Sequence, residues 1–166
     1  PVVAAIGGAP PRDCCPARPI MMQMHPTGQL VGQSLRGPVL WGVAVGGIQA
    51  ASPLVFPWLD PATVYALSLA VIAAVYIGFG VADGRGTVIA VETAVAGVFV
   101  VLAAAAVTGP QWLLVIGLFG HGVKDLWQHR HQYVANTRWW PPFCLVVDWV
   151  CAAVIAALII TGVDLH

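Results

Sequence analysis

Residues Ala62–Ala82 read ATVYALSLAVIAAVYIGFGVA, without one charged side chain. A helix of about 20 such residues, rising 1.5 Å per residue, crosses a hydrocarbon core of about 30 Å. Proline precedes the run at Pro61, and Asp83-Gly84-Arg85 closes it. Working outward, four more apolar stretches of that length appear. One precedes it, about Gly37–Trp58, with Pro53 and Pro57 near its end. Three follow: about Thr87–Thr108, Pro110–His129 and Pro141–Gly162. The loops between them are short, so neighbouring helices are expected to pack antiparallel. The fold class is all-α: a polytopic bundle of five transmembrane helices over 37–162. It is preceded by a Pro-rich irregular tail, 1–36, and followed by a short tail, 163–166.

Composition agrees. Of 166 residues, 59% are hydrophobic and only 8% charged, and the mean hydropathy is +0.85. Soluble domains carry roughly 25% charged residues, so this chain cannot cover a water-exposed surface. A soluble enzyme is excluded, as are a nucleic-acid binder, which needs a basic face, and a disordered chain, which needs low hydrophobicity. No phosphate-binding loop, dinucleotide glycine pattern or Gly-x-Ser-x-Gly occurs, so no nucleotide partner is expected.

The seven basic and seven acidic residues sum to zero, but they are not mixed. With five spans, Arg12, Arg18, Arg36, Arg85, Lys124, Arg130 and Arg138 fall on or near one side, and the other shows only Asp60 and Asp164. The positive-inside rule makes the basic side cytoplasmic, with the N-terminus in and the C-terminus out. Trp58 and Trp112 fall at the outer edge; Trp41, Trp127, Trp139 and Trp140 fall towards the inner one. Both positions suit the interfacial belt of tryptophan.

Charges inside a span are costly and usually face the bundle interior, so each asks for a reason. Glu92 lies roughly 7 Å below the cytoplasmic edge of span three. In span four, His121, Asp125 and His129 are four apart and share one helix face, with Asp125 roughly 6 Å and His121 roughly 12 Å deep. In span five, Cys144, Asp148 and Cys151 share a face, with Asp148 roughly 10 Å deep. Glu92, His121, Asp125 and Asp148 therefore occupy one slab of the cytoplasmic half. Three chemistries compete for it. Imidazole and carboxylate suit a divalent transition metal, Zn or Fe. The same groups can relay protons. They can also be polar glue between helices. His129 belongs to the basic run Gln128-His-Arg-His-Gln132, read as solvated at headgroup level. Cys144 and Cys151 read first as small buried hydrophobes, and second as Cys/His ligands with His121 and His129. Lys124 is expected to extend towards the interface.

Gly42 and Gly46 form a G-x-x-x-G pair, suited to close helix packing within the bundle or against another subunit. Cys14 and Cys15 are adjacent and imply no disulfide framework.

The stretch from His121 onward reads H-G-x-x-D-x-x-x-H, then a short basic loop, then W-W-P-P-F-C and Asp148. Over about residues 110–160 it resembles small uncharacterised bacterial integral-membrane families, in which a His/Asp helix is followed by a Pro-Cys-Asp helix. The resemblance singles out His121, Asp125, His129, Pro142, Cys144 and Asp148, and implies a multi-pass protein of the bacterial inner membrane. Two functions follow. One is a metal- or proton-handling site acting on a lipid, quinone or ion. The other is a non-catalytic anchor or accessory subunit of a larger, respiratory-type membrane complex, or a homo-oligomer.

Overall fold

The computed structural model describes residues 35–56, 58–135 and 137–165. The tail expected over 1–36 lies outside them up to residue 34, together with Arg12, Cys14, Cys15 and Arg18. Five helices follow in order: α1 Arg36–Val55, α2 Pro61–Asp83, α3 Gly86–Thr108, α4 Trp112–His131 and α5 Trp140–Ile160. There is no strand among the described residues.

Local chemistry explains the helix ends. Asp60 caps α2: its carboxylate accepts the Thr63 N–H at 2.7 Å, and Pro61 occupies the first helical position, where its missing N–H costs nothing. Gly84, at φ 81°, closes α2 in the left-handed conformation. The last turn of α4 carries His129, Arg130 and His131, with the Arg130 cation at the negative end of the helix dipole. α5 ends in a Schellman motif: Gly162 takes φ 83°, and the Val163 N–H donates to the Leu158 carbonyl at 2.9 Å.

Consecutive helices run antiparallel, and contacts between their loops define two ends. At one end Arg85, in the α2–α3 loop, donates to the Tyr133 carbonyl at 2.6 Å, while the Asp83 carboxylate accepts the Ala135 N–H at 2.8 Å. Arg85 also pairs with Asp83 at 2.6 Å, which holds its guanidinium above its ordinary pKa. Together they tie the α2–α3 loop to the α4–α5 loop. At the other end, Gln111 hydrogen-bonds Asp164, and the Ala62 N–H donates to the Leu165 carbonyl at 3.1 Å.

Small residues set the closest approaches. α1 runs parallel to α5, with Gly42 against Phe143 and Val146 and Gly46 against Val147 and Val150. The Cys151 thiol donates to the Gly46 carbonyl at 3.5 Å. The Gly42/Gly46 face thus meets α5 of the same chain. α2 packs chiefly on α3, and α4 on α5, with α3 and α2 closing behind α4.

The polarity of the bundle is inverted relative to a soluble protein. Leu40, Ile48, Leu67, Val101 and Ile160 are exposed, while Glu92, His121, Asp125, Gln128 and Asp148 are buried. Helix α4 shows this within one element: Ile116, Phe119, Val123 and Trp127 point outward, and its polar residues point in. Four helices, α1, α2, α3 and α5, are long and apolar enough to cross a membrane. α4 is not among them, because His121, Lys124, Asp125, His129, Arg130 and His131 fall within it. These are the features of a membrane protein.

Candidate metal centre

Two helices build the centre. α4 presents His121 and Asp125 one turn apart on its inward face, and α5 brings Asp148 opposite them. The His121 Nδ1 hydrogen-bonds Asp148 Oδ2 at 2.7 Å and lies 3.6 Å from Asp125 Oδ2. One potential ligand atom from each of the three lies within 4.8 Å of the others, and all three residues are fully buried. Aromatic rings fix the imidazole: Phe99 of α3 meets it edge-on at 5.0 Å between centroids, and Tyr76 of α2 stands 6.0 Å away.

The donors are underused. Both oxygens of Asp125, Oδ1 of Asp148 and Nε2 of His121 are buried without a hydrogen-bond partner. A buried carboxylate with no partner costs several kcal/mol, on the order of the desolvation penalty of an ion, and buried polar groups are nearly always satisfied. The arrangement therefore requires something further at this point: a proton, water or a cation. The donor set fits a cation. Zinc holds ligands at about 2.0–2.2 Å in a tetrahedron, which separates them by roughly 3.4 Å. The 3.6 Å between His121 and Asp125 is close to that spacing, while the 2.7 Å His121–Asp148 hydrogen bond would open for both groups to hold one ion. Three protein ligands leave a fourth position open, the pattern of working rather than purely structural zinc sites.

Glu92 is buried at the expected level but does not join this group. Its Oε2 pairs with Lys124 Nζ at 2.8 Å, and its Oε1 accepts from Gln128. Lys124 does not extend to the interface as its sequence position implies. It turns inward, with Nζ 3.0 Å from the centroid of the Tyr76 ring, where the ring face attracts a cation. Glu92 and Lys124 pair with each other, which leaves Asp125 and Asp148 without a fixed cation to balance them if both are ionised. A bound dication would balance that pair.

Cys144 and Cys151 are buried free thiols on the Asp148 face of α5. Neither belongs to the metal-competent group, whose members are His121, Asp125 and Asp148. His129 lies two turns below His121, outside the group, with Nδ1 unpaired. Gln128 is fully buried, whereas its run of basic neighbours reads as solvated. The signal was present: Gln128 is three residues after Asp125, on the same face. Tyr76 carries no such signal, since α2 is apolar all round. His131, Arg130 and Arg138 are exposed at the loop end, as that run implies.

No protein-family model matches the chain, and no curated protein or solved structure does.

Proposed function

We propose that this membrane protein binds a divalent transition metal, Zn or Fe, through His121, Asp125 and Asp148 inside the bilayer. The observation that carries this reading is the trio itself: three buried ligand groups from two helices converge, and four of their polar atoms lack partners. Desolvated carboxylates in pairs favour a dication, because it cancels both charges at once. The imidazole adds the borderline-soft donor that Zn and Fe prefer over Mg or Ca. All five helices span the membrane in this reading. α4 is shielded from lipid by its apolar outer stripe and by its neighbours. The end bearing Arg36, Arg85, Arg130 and Arg138 faces the cytoplasm, by the positive-inside rule, so the metal sits in the cytoplasmic half.

Elemental analysis of protein purified in mild detergent, without chelator, tests this. The expected result is about one Zn or Fe per chain, falling to background in Asp148→Asn and His121→Ala variants that still elute as the folded species. Wild-type protein with no more metal than Asp148→Asn, and no uptake on titration with Zn²⁺ or Fe²⁺, overturns the assignment.

A further inference from the structure

The unpaired polar atoms are not scattered through the bundle. Among the described residues, every buried side-chain nitrogen or oxygen without a hydrogen-bond partner belongs to the half that ends at the α2–α3 and α4–α5 loops. Besides the metal-competent trio they include Gln128 Oε1, His129 Nδ1 and Trp140 Nε1. They extend a continuous polar sequence. Gln128 donates to Glu92, Glu92 holds Lys124, Lys124 lies over Tyr76, and the Tyr76 hydroxyl faces Asp125. From His131 at the end of α4 to His121 this covers about 15 Å of helix.

Beyond His121 the buried core turns apolar, and the polar pair there, Gln49 and Ser68, is half-buried and hydrogen-bonded to each other. Leu114, Leu118, Leu69 and Ile155 are fully buried, and Ala103 and Ala106 pack with them in one apolar cluster. Among the described residues, the buried polar groups in that cluster are satisfied: Tyr65 donates to the Ala50 carbonyl at 2.7 Å, and the Cys151 thiol to the Gly46 carbonyl. Unpaired buried polar atoms are normally completed by internal water, each molecule making about three hydrogen bonds, and apolar cavities stay dry.

We propose that Gln128, Glu92, Lys124 and Tyr76 line a hydrated access route, open only at the α4–α5 loop end, by which a divalent cation reaches His121, Asp125 and Asp148. Lys124 occupies the route as a tethered cation, paired with Glu92 until an incoming ion competes for that carboxylate. The proposal rests on the metal reading for its cargo, but the route itself is tested without metal.

The test is thiol accessibility in membranes, in a chain whose four cysteines are replaced by alanine. Gln128→Cys probes the route, Leu118→Cys the seal beyond His121, and Ala135→Cys the side on which the α4–α5 loop lies. A small membrane-impermeant thiosulfonate is applied to one face, then to the other. Gln128→Cys is expected to react from the same face as Ala135→Cys and from that face alone, with Leu118→Cys unreactive from both. Labelling of Leu118→Cys, labelling of Gln128→Cys from the opposite face, or no labelling of Gln128→Cys while Ala135→Cys reacts overturns the proposal. If Gln128→Cys reacts as expected in a protein that takes up no metal, the route stands and the metal assignment falls.

Discussion

Replacing Gly42 by alanine tests the helix pair on which the bundle is assembled. A Cβ at position 42 would sit 2.7 Å from Val146 Cβ and 2.8 Å from the Phe143 carbonyl oxygen. Ordinary contact begins near 3.4 Å, and the oxygen belongs to the backbone of α5, so no rotamer change relieves the clash. α1 must separate from α5, its main neighbour. Overpacking of this kind costs about 1–3 kcal/mol. Five residues along the same helix, a Cβ on Gly47 meets nothing within 4 Å. Both substitutions gain the same helix propensity, about 0.8–1.0 kcal/mol, so that gain cancels in the comparison. At about 2–4 °C per kcal/mol for a chain of this size, Gly42→Ala should melt roughly 2–12 °C below Gly47→Ala. Gly46→Ala should fall between them, since its closest contacts are 3.1 Å. The assay is thermal denaturation of detergent-purified protein, followed by size exclusion at a fixed heating rate, because unfolding of such proteins is commonly irreversible. Equal melting of Gly42→Ala and Gly47→Ala refutes the α1–α5 packing. A change of oligomeric mass at unchanged melting temperature would place the Gly42/Gly46 face between chains instead.

The buried Lys124–Glu92 pair should show strong non-additivity. Lys124→Met strands a carboxylate that is almost wholly buried, at a cost of about 3–5 kcal/mol, whereas the double variant with Glu92→Gln should recover most of the loss. Independent, additive losses in thermal stability would show that the two side chains do not meet. Gly122 supplies the contrast to Gly42: a Cβ there meets only the ring of Trp149, whose Cδ1 lies 2.5 Å away. That side chain sits at the lipid-facing rim, stacked on Phe119 at 5.5 Å. It can swing outward, giving up its Nε1 hydrogen bond to the Phe119 carbonyl, so Gly122→Ala should cost about 1 kcal/mol, the low end of overpacking, while changing the near-ultraviolet circular dichroism. A melting loss as large as that of Gly42→Ala would mean Trp149 is locked in place.

The five helices are legible in the sequence because two signals coincide at most boundaries. Apolar runs of membrane length are punctuated by Asp60-Pro61, Gly84 and Pro141-Pro142, whose backbone preferences end or begin a helix. The His121/Asp125 edge of the site is legible for a related reason: four-residue spacing fixes a shared face whatever lies opposite. Depth counted from the ends of the spans then brings Asp148 to the same level. What such reasoning cannot supply is the rotation of one helix against another. Glu92 lies at the right depth, but α3 turns it towards Lys124 and Gln128, not towards His121. Lys124 illustrates the same gap, since its long stem reaches inward as readily as outward, and only the Tyr76 ring and Glu92 decide between them. The destination of Gly42 and Gly46 is likewise set by which helix lies opposite, and small residues recur on every span.

The polar inner face of α4 carries a consequence for biogenesis. A charged residue near the middle of a segment opposes its insertion by up to about 2.5–3.5 kcal/mol, against a gain of only about 0.3–0.6 kcal/mol for each Leu, Ile or Phe. Lys124 and Asp125 therefore make α4 a poor substrate for the insertion machinery by itself. Its groups find partners on α2, through Tyr76, on α3, through Glu92, and on α5, through Asp148. Embedding α4 in the membrane, as the five-span reading requires, is thus conditional on its neighbours. If all five helices span the membrane, the nascent chain would hold this helix at the interface until α5 has been synthesised, and then commit both as a hairpin. A chain cut after Gln132 would leave His121 and Asp125 without Asp148, and the quality-control proteases of the membrane would meet α4 as an unassembled segment.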